Sequence, residues 1–273
     1  MLTIDPLRTN LMPSTYNTNV FSNSGHNKGS LYRLALIVVC SFFTSAAMAV
    51  IISPVKVELS TDQSVVTITV TNDADLPLTI QNQVLAWTQV DGEDHLQEST
   101  DLLVAPAIAE IKPRGVQIFR VTQRRPTVAI TERAYRLILD DISTAQRQPQ
   151  VNGVNLVISH RLPVFVAGAG KMGPKPQLVQ CLNITEQNCV RLENNGDQYV
   201  QVRTLWVSGR NWQEELGSGS RVLAGAWKQW TFSMPPASAG GLTITAETSA
   251  GRMSIELLNP NPLSIGSVSY EPD

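Results

Sequence analysis

From Val50 onward the chain alternates apolar and polar residues with a period of two. Val66, Ile68 and Val70 interleave with Thr67, Thr69 and Thr71, and Val55, Val57 and Leu59 interleave with Lys56 and Glu58. Such alternation of β-branched residues predicts half-buried strands, because successive side chains of a strand point to opposite faces. Asn72-Asp73-Ala74-Asp75-Leu76-Pro77 reads as a turn. A strand is predicted over Thr79 to Val90, with Trp87 on it, and Asp91-Gly92 is a hairpin signal at its end. Lys112-Pro113-Arg114-Gly115 is a second turn. The strand that follows, Val116 to Thr122, is expected to turn Val116, Ile118 and Val121 inward. Tyr135 to Leu139 is another strand. The polar stretch from Asp141 to Gln150 is a loop, after which Val154, Leu156 and Ile158 alternate again and lead into Arg161-Leu162-Pro163-Val164-Phe165-Val166.

About seven short strands in ~110 residues, with a tryptophan on the third or fourth, fit an immunoglobulin-like sandwich. Residues 167–176, Ala-Gly-Ala-Gly-Lys-Met-Gly-Pro-Lys-Pro, are rich in glycine and proline and mark a domain boundary. Strands resume beyond it: Cys189 to Glu193, then Asn194-Asn195-Gly196-Asp197, which reads as a hairpin turn, then Trp227 to Phe232, Leu242 to Thr248 and Met253 to Leu257. No segment has a helical period with caps. The expected fold class is therefore all-β, with an N-terminal sandwich domain over residues 50–167, a linker over 168–176 and a smaller β-sandwich over 177–273.

The start of the chain has a different character. Lys28 and Arg33 precede the apolar run Leu34 to Phe43, and Ala47-Met48-Ala49 follows as a small-x-small site. A positive region, a short apolar core and such a site predict a secretory signal peptide cleaved near Ala49, within an N-terminal extension of residues 1–49. The apolar run is shorter than the roughly 20 residues a membrane-spanning helix needs. Loss of residues 1–49 removes Arg8, Lys28, Arg33 and Asp5, which moves the net charge from −2 to −4. No strong basic field exists, so nucleic acid is not an expected partner. Cys181 and Cys189 are the cysteines left after cleavage, and in an exported chain they suggest a disulfide. The alternatives are two free thiols or a metal pair. A metal would need further ligands, and His95 and His160 lie far away in sequence.

A catalytic constellation is not evident. His95 beside Asp94 reads as a solvated hairpin arm, and the adjacent Asp140 and Asp141 would point to opposite faces of a strand. No catalytic residue, metal site or cofactor is expected. Two binding features are present instead. Lys56 near the first strand and Arg161 near the last strand of the first domain could meet at a cleft and hold a carboxylate; alternatively they are surface cations that protect sheet edges. The row Val154, Leu156 and Ile158 could be an apolar edge that invites another chain, or an ordinary core-facing row.

The segments Ile52-Ser53-Pro54-Val55-Lys56-Val57, Asn72 with Pro77, Leu103 with Ala105-Pro106, Ile111 to Arg120, Glu132 to Leu137 and Leu162-Pro163-Val164-Phe165 resemble, in their order and spacing, the periplasmic chaperones of the chaperone–usher pathway, which assemble pili. Leu192-Glu193-Asn194-Asn195-Gly196 and Val222-Leu223-Ala224-Gly225 are similar in the second domain. The resemblance covers nearly all of the chain after residue 49. It implies two immunoglobulin-like domains in a boomerang. It implies binding of pilin subunits, to which the chaperone lends a strand (donor-strand complementation), and delivery to an outer-membrane usher from the periplasm. The implied carboxylate anchors are Lys56 and Arg161, and the implied donor residues are Val154, Leu156 and Ile158; Arg120, Glu132 and Tyr135 fall on framework positions. The free chaperone could self-associate to cover its donor strand. One departure is visible: many members have an aromatic-Arg-Pro ending after the anchor, whereas here Val164-Phe165-Val166 runs into Ala-Gly repeats, as in the branch serving archaic pili. Two other readings compete. A two-domain adhesive surface protein would need an anchor or a self-complementary strand. A small hydrolase or copper protein would need a nucleophile or a His-rich set.

Overall fold

The computed structural model describes residues 50–126, 129–143, 158–182, 188–233, 241–257 and 268–271. The expected signal segment and the donor positions Val154 and Leu156 lie outside the described residues. The fold is all-β, in two sandwiches. The first contains β1 (Val50–Ser53), β2 (Val57–Leu59), β3 (Val65–Asn72), β4 (Leu78–Val90), β5 (Glu93–Glu98), β6 (Leu102–Ala105), β7 (Ile108–Ile111), β8 (Val116–Gln123), β9 (Arg133–Asp141) and β10 (Ser159–Val166). One sheet has the order β1-β3-β8-β6. The other runs β2-β10-β9-β4-β5, with β7 also paired to β4. The second sandwich contains β11 (Pro176–Leu182), β12 (Asn188–Asn194), β13 (Val200–Gly209), β14 (Trp212–Ser218), β15 (Arg221–Val222), β16 (Trp227–Phe232), β17 (Leu242–Thr248), β18 (Gly251–Leu257) and β19 (Val268–Glu271). Its sheets run β11-β12-β16 and β14-β13-β17-β18-β19, with β15 on β13.

The period-two pattern explains most of this layering. Val66, Ile68 and Val70 of β3 meet Val84 of β4, Leu137 and Leu139 of β9 and Val164 of β10 in one core. A second core gathers Val190 and Leu192, Val202 and Val207, and Ile244 and Ile255. On β8 the expected phase is half wrong: Phe119 and Val121 are buried, whereas Val116 and Ile118 are exposed. Val116 and Ile118 have the opposite parity to Val121, so one strand cannot turn all three to one face. Phe119, the bulkiest residue available, sets the phase.

The first strand also departs from the sequence pattern. Residues 50–59 do not form one strand but change sheets. β1 pairs antiparallel with β3, and after Pro54-Val55-Lys56 the chain crosses to pair β2 in parallel with β10. Val55 sits in this crossing and is 71% exposed, so its place in the Val55-Val57-Leu59 alternation does not mark a core position. Proline lacks the ladder donor, which favours the break.

Both sandwiches use a buried asparagine to tie down a turn. Asn72 Nδ2 donates to the carbonyls of Leu76, Ile111 and Lys112, and its Oδ1 accepts from Ala74 N–H. Asn194 Nδ2 donates to the carbonyls of Gln198, Val222 and Leu223, and its Oδ1 accepts from the N–H groups of Lys175 and Gly196. The turn after Asn194 is not the expected hairpin: β12 and β13 lie in different sheets, and the amide ties the turn to Val222 of β15 and to Leu223. By contrast Asp91-Gly92, both at positive φ, does close the β4–β5 hairpin, with Val90 paired to Glu93. Cys181 and Cys189 are register partners on β11 and β12 and form the disulfide.

Two stability outcomes follow. Asn72→Ala removes the donor to the buried Ile111 carbonyl and to the part-buried Leu76 and Lys112 carbonyls, and should lower unfolding free energy by about 2–4 kcal/mol in urea titration. Replacing Cys181 and Cys189 together by alanine should lower it by about 2–3 kcal/mol, because the loop they close is short.

Candidate functional site

The sheet β2-β10-β9-β4-β5 has one face on its core and one turned toward the second sandwich. Alternation decides which residues appear there. On β10, Leu162, Val164 and Val166 enter the core, which leaves Arg161, Pro163 and Phe165 on the other face. Register then brings Ala134, Arg136 and Ile138 of β9 and Trp87 and Leu85 of β4 onto the same face.

Where this face meets the second sandwich it is aromatic. The Phe165 ring stacks on Tyr199 with centroids 3.9 Å apart and planes 10° from parallel, and Trp87 lies 6.2 Å from Phe165. Leu223 and Ala226 of the second sandwich complete this cluster. Main-chain contacts fix the junction. Gln89 acts as a surrogate peptide: its Nε2 donates to Arg221 O at 2.8 Å, and its Oε1 accepts from Leu223 N–H at 2.8 Å. Glu132 N–H donates to Asp197 O at 2.9 Å, and Glu132 Oε1 accepts from Tyr199 N–H at 3.0 Å. Lys228 lies 3.5 Å from Asp94, and Gly92 packs so closely on the Trp227 ring that a Cβ there would collide with it.

Lys56 and Arg161 both stand at this face, in different settings. Lys56 immediately precedes β2. Its Nζ donates to Glu58 Oε1 at 2.7 Å and to Tyr199 OH at 3.4 Å. The Glu58 bond holds the ammonium above its ordinary pKa, against the opposing effect of burial. Arg161 is exposed and, among the described residues, has no ion-pair partner. In the parallel register Val164 lies beside Val57, which sets Pro163, not Arg161, level with Lys56. Arg161 lies two residues farther along the same face. Ile158, the one donor position described, is exposed.

Sequence reading did not single out Arg136. Its guanidinium lies over the Trp87 ring, 3.7 Å from the centroid. It lies opposite Pro163, one diagonal step from Arg161. Burial lowers its pKa from the ordinary value, followed by the positive charges of Arg221 and, more weakly, Arg161; Asp94 acts in the opposite sense. The only sequence signal was its parity with Ala134, the register neighbour of Phe165 and Trp87. Tyr135, one residue earlier, points into the core and donates to Asp101 Oδ2 at 2.9 Å. This is the structural role expected of it.

β10 also has an open edge. β9 flanks it along its whole length, but β2 covers only Val164 to Val166. Among the described residues, no strand pairs with the Ser159 to Pro163 side facing away from β9. Residues 50–53, which precede β2 in the chain, pair with β3 and not with this side of β10.

A two-sandwich protein, with a basic and aromatic sheet face at the domain junction and a partly open last strand, is the class these features define. Residues 49–170 match the family described as Pili and flagellar-assembly chaperone, PapD N-terminal domain. The matched stretch coincides with the first sandwich. Among solved structures, the chain is similar to the CsuC chaperone in complex with the CsuE tip adhesion subunit, from archaic chaperone–usher Csu pili of Acinetobacter baumannii. That likeness has a TM-score of 0.57 at 20% identity and covers 76% of this chain and 97% of that one. It is also similar to the SafB chaperone in complex with the SafA pilin from Salmonella enterica, with a TM-score of 0.55 at 14% identity over 84% and 98% of the chains. The E. coli chaperone DraB gives a TM-score of 0.53 at 15% identity over 82% and 98%. No curated protein matches the sequence.

Glu132 yields a pH prediction. Burial raises its carboxyl from an ordinary 4.5 to about 7; the Tyr199 N–H bond and Lys56 oppose this, while Glu58 and Asp197 add to it. A cavity of about 380 Å³ beside it, lined also by Trp87, Leu223 and Gly225, connects it to solvent. Between these two values the folded chain keeps a proton that the unfolded chain has released. The stabilisation is full below the ordinary value and is lost as pH rises through about 7. Unfolding free energy should fall by about 1–2 kcal/mol over that window, allowing for solvent screening of a partly exposed group. Glu132→Gln should flatten the profile in chemical denaturation across that range.

Proposed function

We propose that the chain is a periplasmic chaperone that captures pilin subunits by donor-strand complementation and delivers them to an outer-membrane usher. The observation that carries this reading is the open edge of β10. Its exposed donors and acceptors at Ser159 to Pro163 can pair with a strand from another chain. The family match and the likeness to two chaperones solved with their subunits support the same role.

The phase of the sequence adds the side-chain part. Val154, Leu156 and Ile158 share parity with Leu162 and Val164, which are buried in the core. We assign this apolar row to the groove of an incomplete partner. Each such side chain, once buried, stabilises the complex by roughly 1.5–3 kcal/mol. Lys56 and Arg161 are the proposed anchors for the subunit's terminal carboxylate, with Lys56 exchanging Glu58 for the incoming group. The signal segment near Ala49 supports export to the periplasm. We also assign the two functional domains to residues 50–167 and 177–273, joined by 168–176, and self-association of the unloaded form to the same edge.

The test is co-expression with a pilin encoded beside it, followed by purification on the chaperone and quantification of bound subunit. Wild type should recover the subunit. Arg161→Ala and Lys56→Ala should each reduce recovery about tenfold or more while remaining folded, and Leu156→Asp should abolish it. Full recovery with both anchor variants would remove the anchor assignment, and full recovery with Leu156→Asp would remove the donor-strand reading.

A further inference from the structure

A cavity of about 470 Å³ at one end of the first sandwich is lined by Thr100, Asp101, Arg124, Arg125 and Arg133. It does not belong to the Arg161 face. Arg133 has the parity of Tyr135, which enters the core, and not that of Ala134 and Arg136. Three chain segments build the cavity: Arg124 and Arg125 at the end of β8, Arg133 at the start of β9, and Thr100 and Asp101 just before β6. Hydrogen bonds hold these segments together. Arg124 N–H donates to Asp101 O at 2.8 Å, and Arg124 Nε donates to Thr100 O at 3.2 Å. Arg133 Nη2 donates to Gln123 Oε1 at 2.7 Å, which ties β9 to the last residue of β8.

The charge lining the cavity is unbalanced. Three guanidinium groups face one carboxylate, Asp101, and that carboxylate already accepts from Tyr135 OH at 2.9 Å. Among the described residues none of the three arginines has an ion-pair partner. Arg133 Nε is buried and has no hydrogen-bond partner among those residues. A buried N–H left unpaired is costly, and an oxygen of a bound anion would supply the missing bond. A carboxylate offers two oxygens and a single charge. A phosphate group offers at least three acceptor oxygens and a charge of about −1.5 to −2, which matches both the number of arginines and their surplus over Asp101. Planar guanidinium forks suit its oxygens bidentately.

We propose that this cavity is a phosphate-binding site, filled by a phosphate group either free or carried as a monoester, with Arg124, Arg125 and Arg133 as its donors. The site uses no residue assigned to subunit capture and does not depend on that reading.

The test is heteronuclear NMR of the arginine Nε–H groups in the purified chain, with inorganic phosphate titrated against sodium chloride at constant ionic strength. The Arg133 signal, assigned by its loss in Arg133→Lys, should shift and saturate with a dissociation constant on the order of 1 mM, as two or three charge-assisted bonds in an open site would give. Arg125→Gln should weaken that binding about tenfold. Arg125 has no hydrogen bond or ion pair among the described residues, so this variant should melt with the wild type in the absence of phosphate. It should lose the rise in melting temperature that phosphate gives the wild type. Arg210 is exposed on the second sandwich, and Arg210→Gln should bind phosphate as the wild type does. Glycerol phosphate and vesicles of phosphatidylcholine with phosphatidic acid distinguish the sources. Binding of the ester without co-flotation on vesicles identifies a soluble phosphate, whereas co-flotation that Arg125→Gln removes identifies a lipid headgroup. The inference is overturned if the Arg133 Nε–H signal responds to phosphate no more than to chloride, or if Arg125→Gln binds phosphate as tightly as the wild type.

Discussion

The two-faced alternation of β10 is the constraint on which the rest of the structure depends. Leu162, Val164 and Val166 are held in the first core, so parity places Arg161, Pro163 and Phe165 on the opposite face. Phe165 then provides the surface on which Tyr199 stacks, and through it the second sandwich is seated. A slip of one residue would bury Arg161 and expose Val164, losing core, junction and basic face together. The antiparallel pairing with β9 over eight residues, and the parallel pairing with β2 over three, keep that register in place.

The junction combines apolar and polar contacts with different jobs. The Trp87, Phe165 and Tyr199 cluster provides dispersion and desolvation without a strongly directional demand. Gln89 and Glu132 supply direction, each engaging main-chain groups of the second sandwich. Gln89 is satisfied by neutral bonds at any ordinary pH. Glu132 is not, because its ionised form is desolvated and faces Glu58 and Asp197. One half of the polar seam is thus indifferent to protons and the other half responds to them.

Much of the fold was legible because it is written in local alternation. β3, β4, β16, β17 and the Asp91-Gly92 turn stand where period two and turn chemistry put them. The errors arose where a local pattern had two solutions. β8 carries apolar residues in both phases, and only the presence of Phe119 opposite the core decides between them. Residues 50–59 look like one strand because sheet membership leaves no trace in alternation; the switch after Ser53 emerges only when β3 and β10 compete for the segment. Lys56 and Arg161 were visible as cations near strand ends. Their actual neighbours, Glu58 with Tyr199 for one and Arg136 for the other, depend on register across strands far apart in sequence. Arg136 gave no signal beyond its parity with Ala134, since a cation on a strand reads as solvated until a second domain covers it.

The sheet switch and the basic face are two consequences of the same economy in strands. Had residues 50–59 run as a single strand along β10, they would have paired its whole edge and closed it. By joining β10 only at Val57 to Leu59, the chain supports the strand where the second sandwich already packs, at Val164 to Val166. The unpaired part begins where the cations begin, at Pro163 and Arg161. In the proposed complex, an extended partner added to this edge would lie beside the basic face of β10.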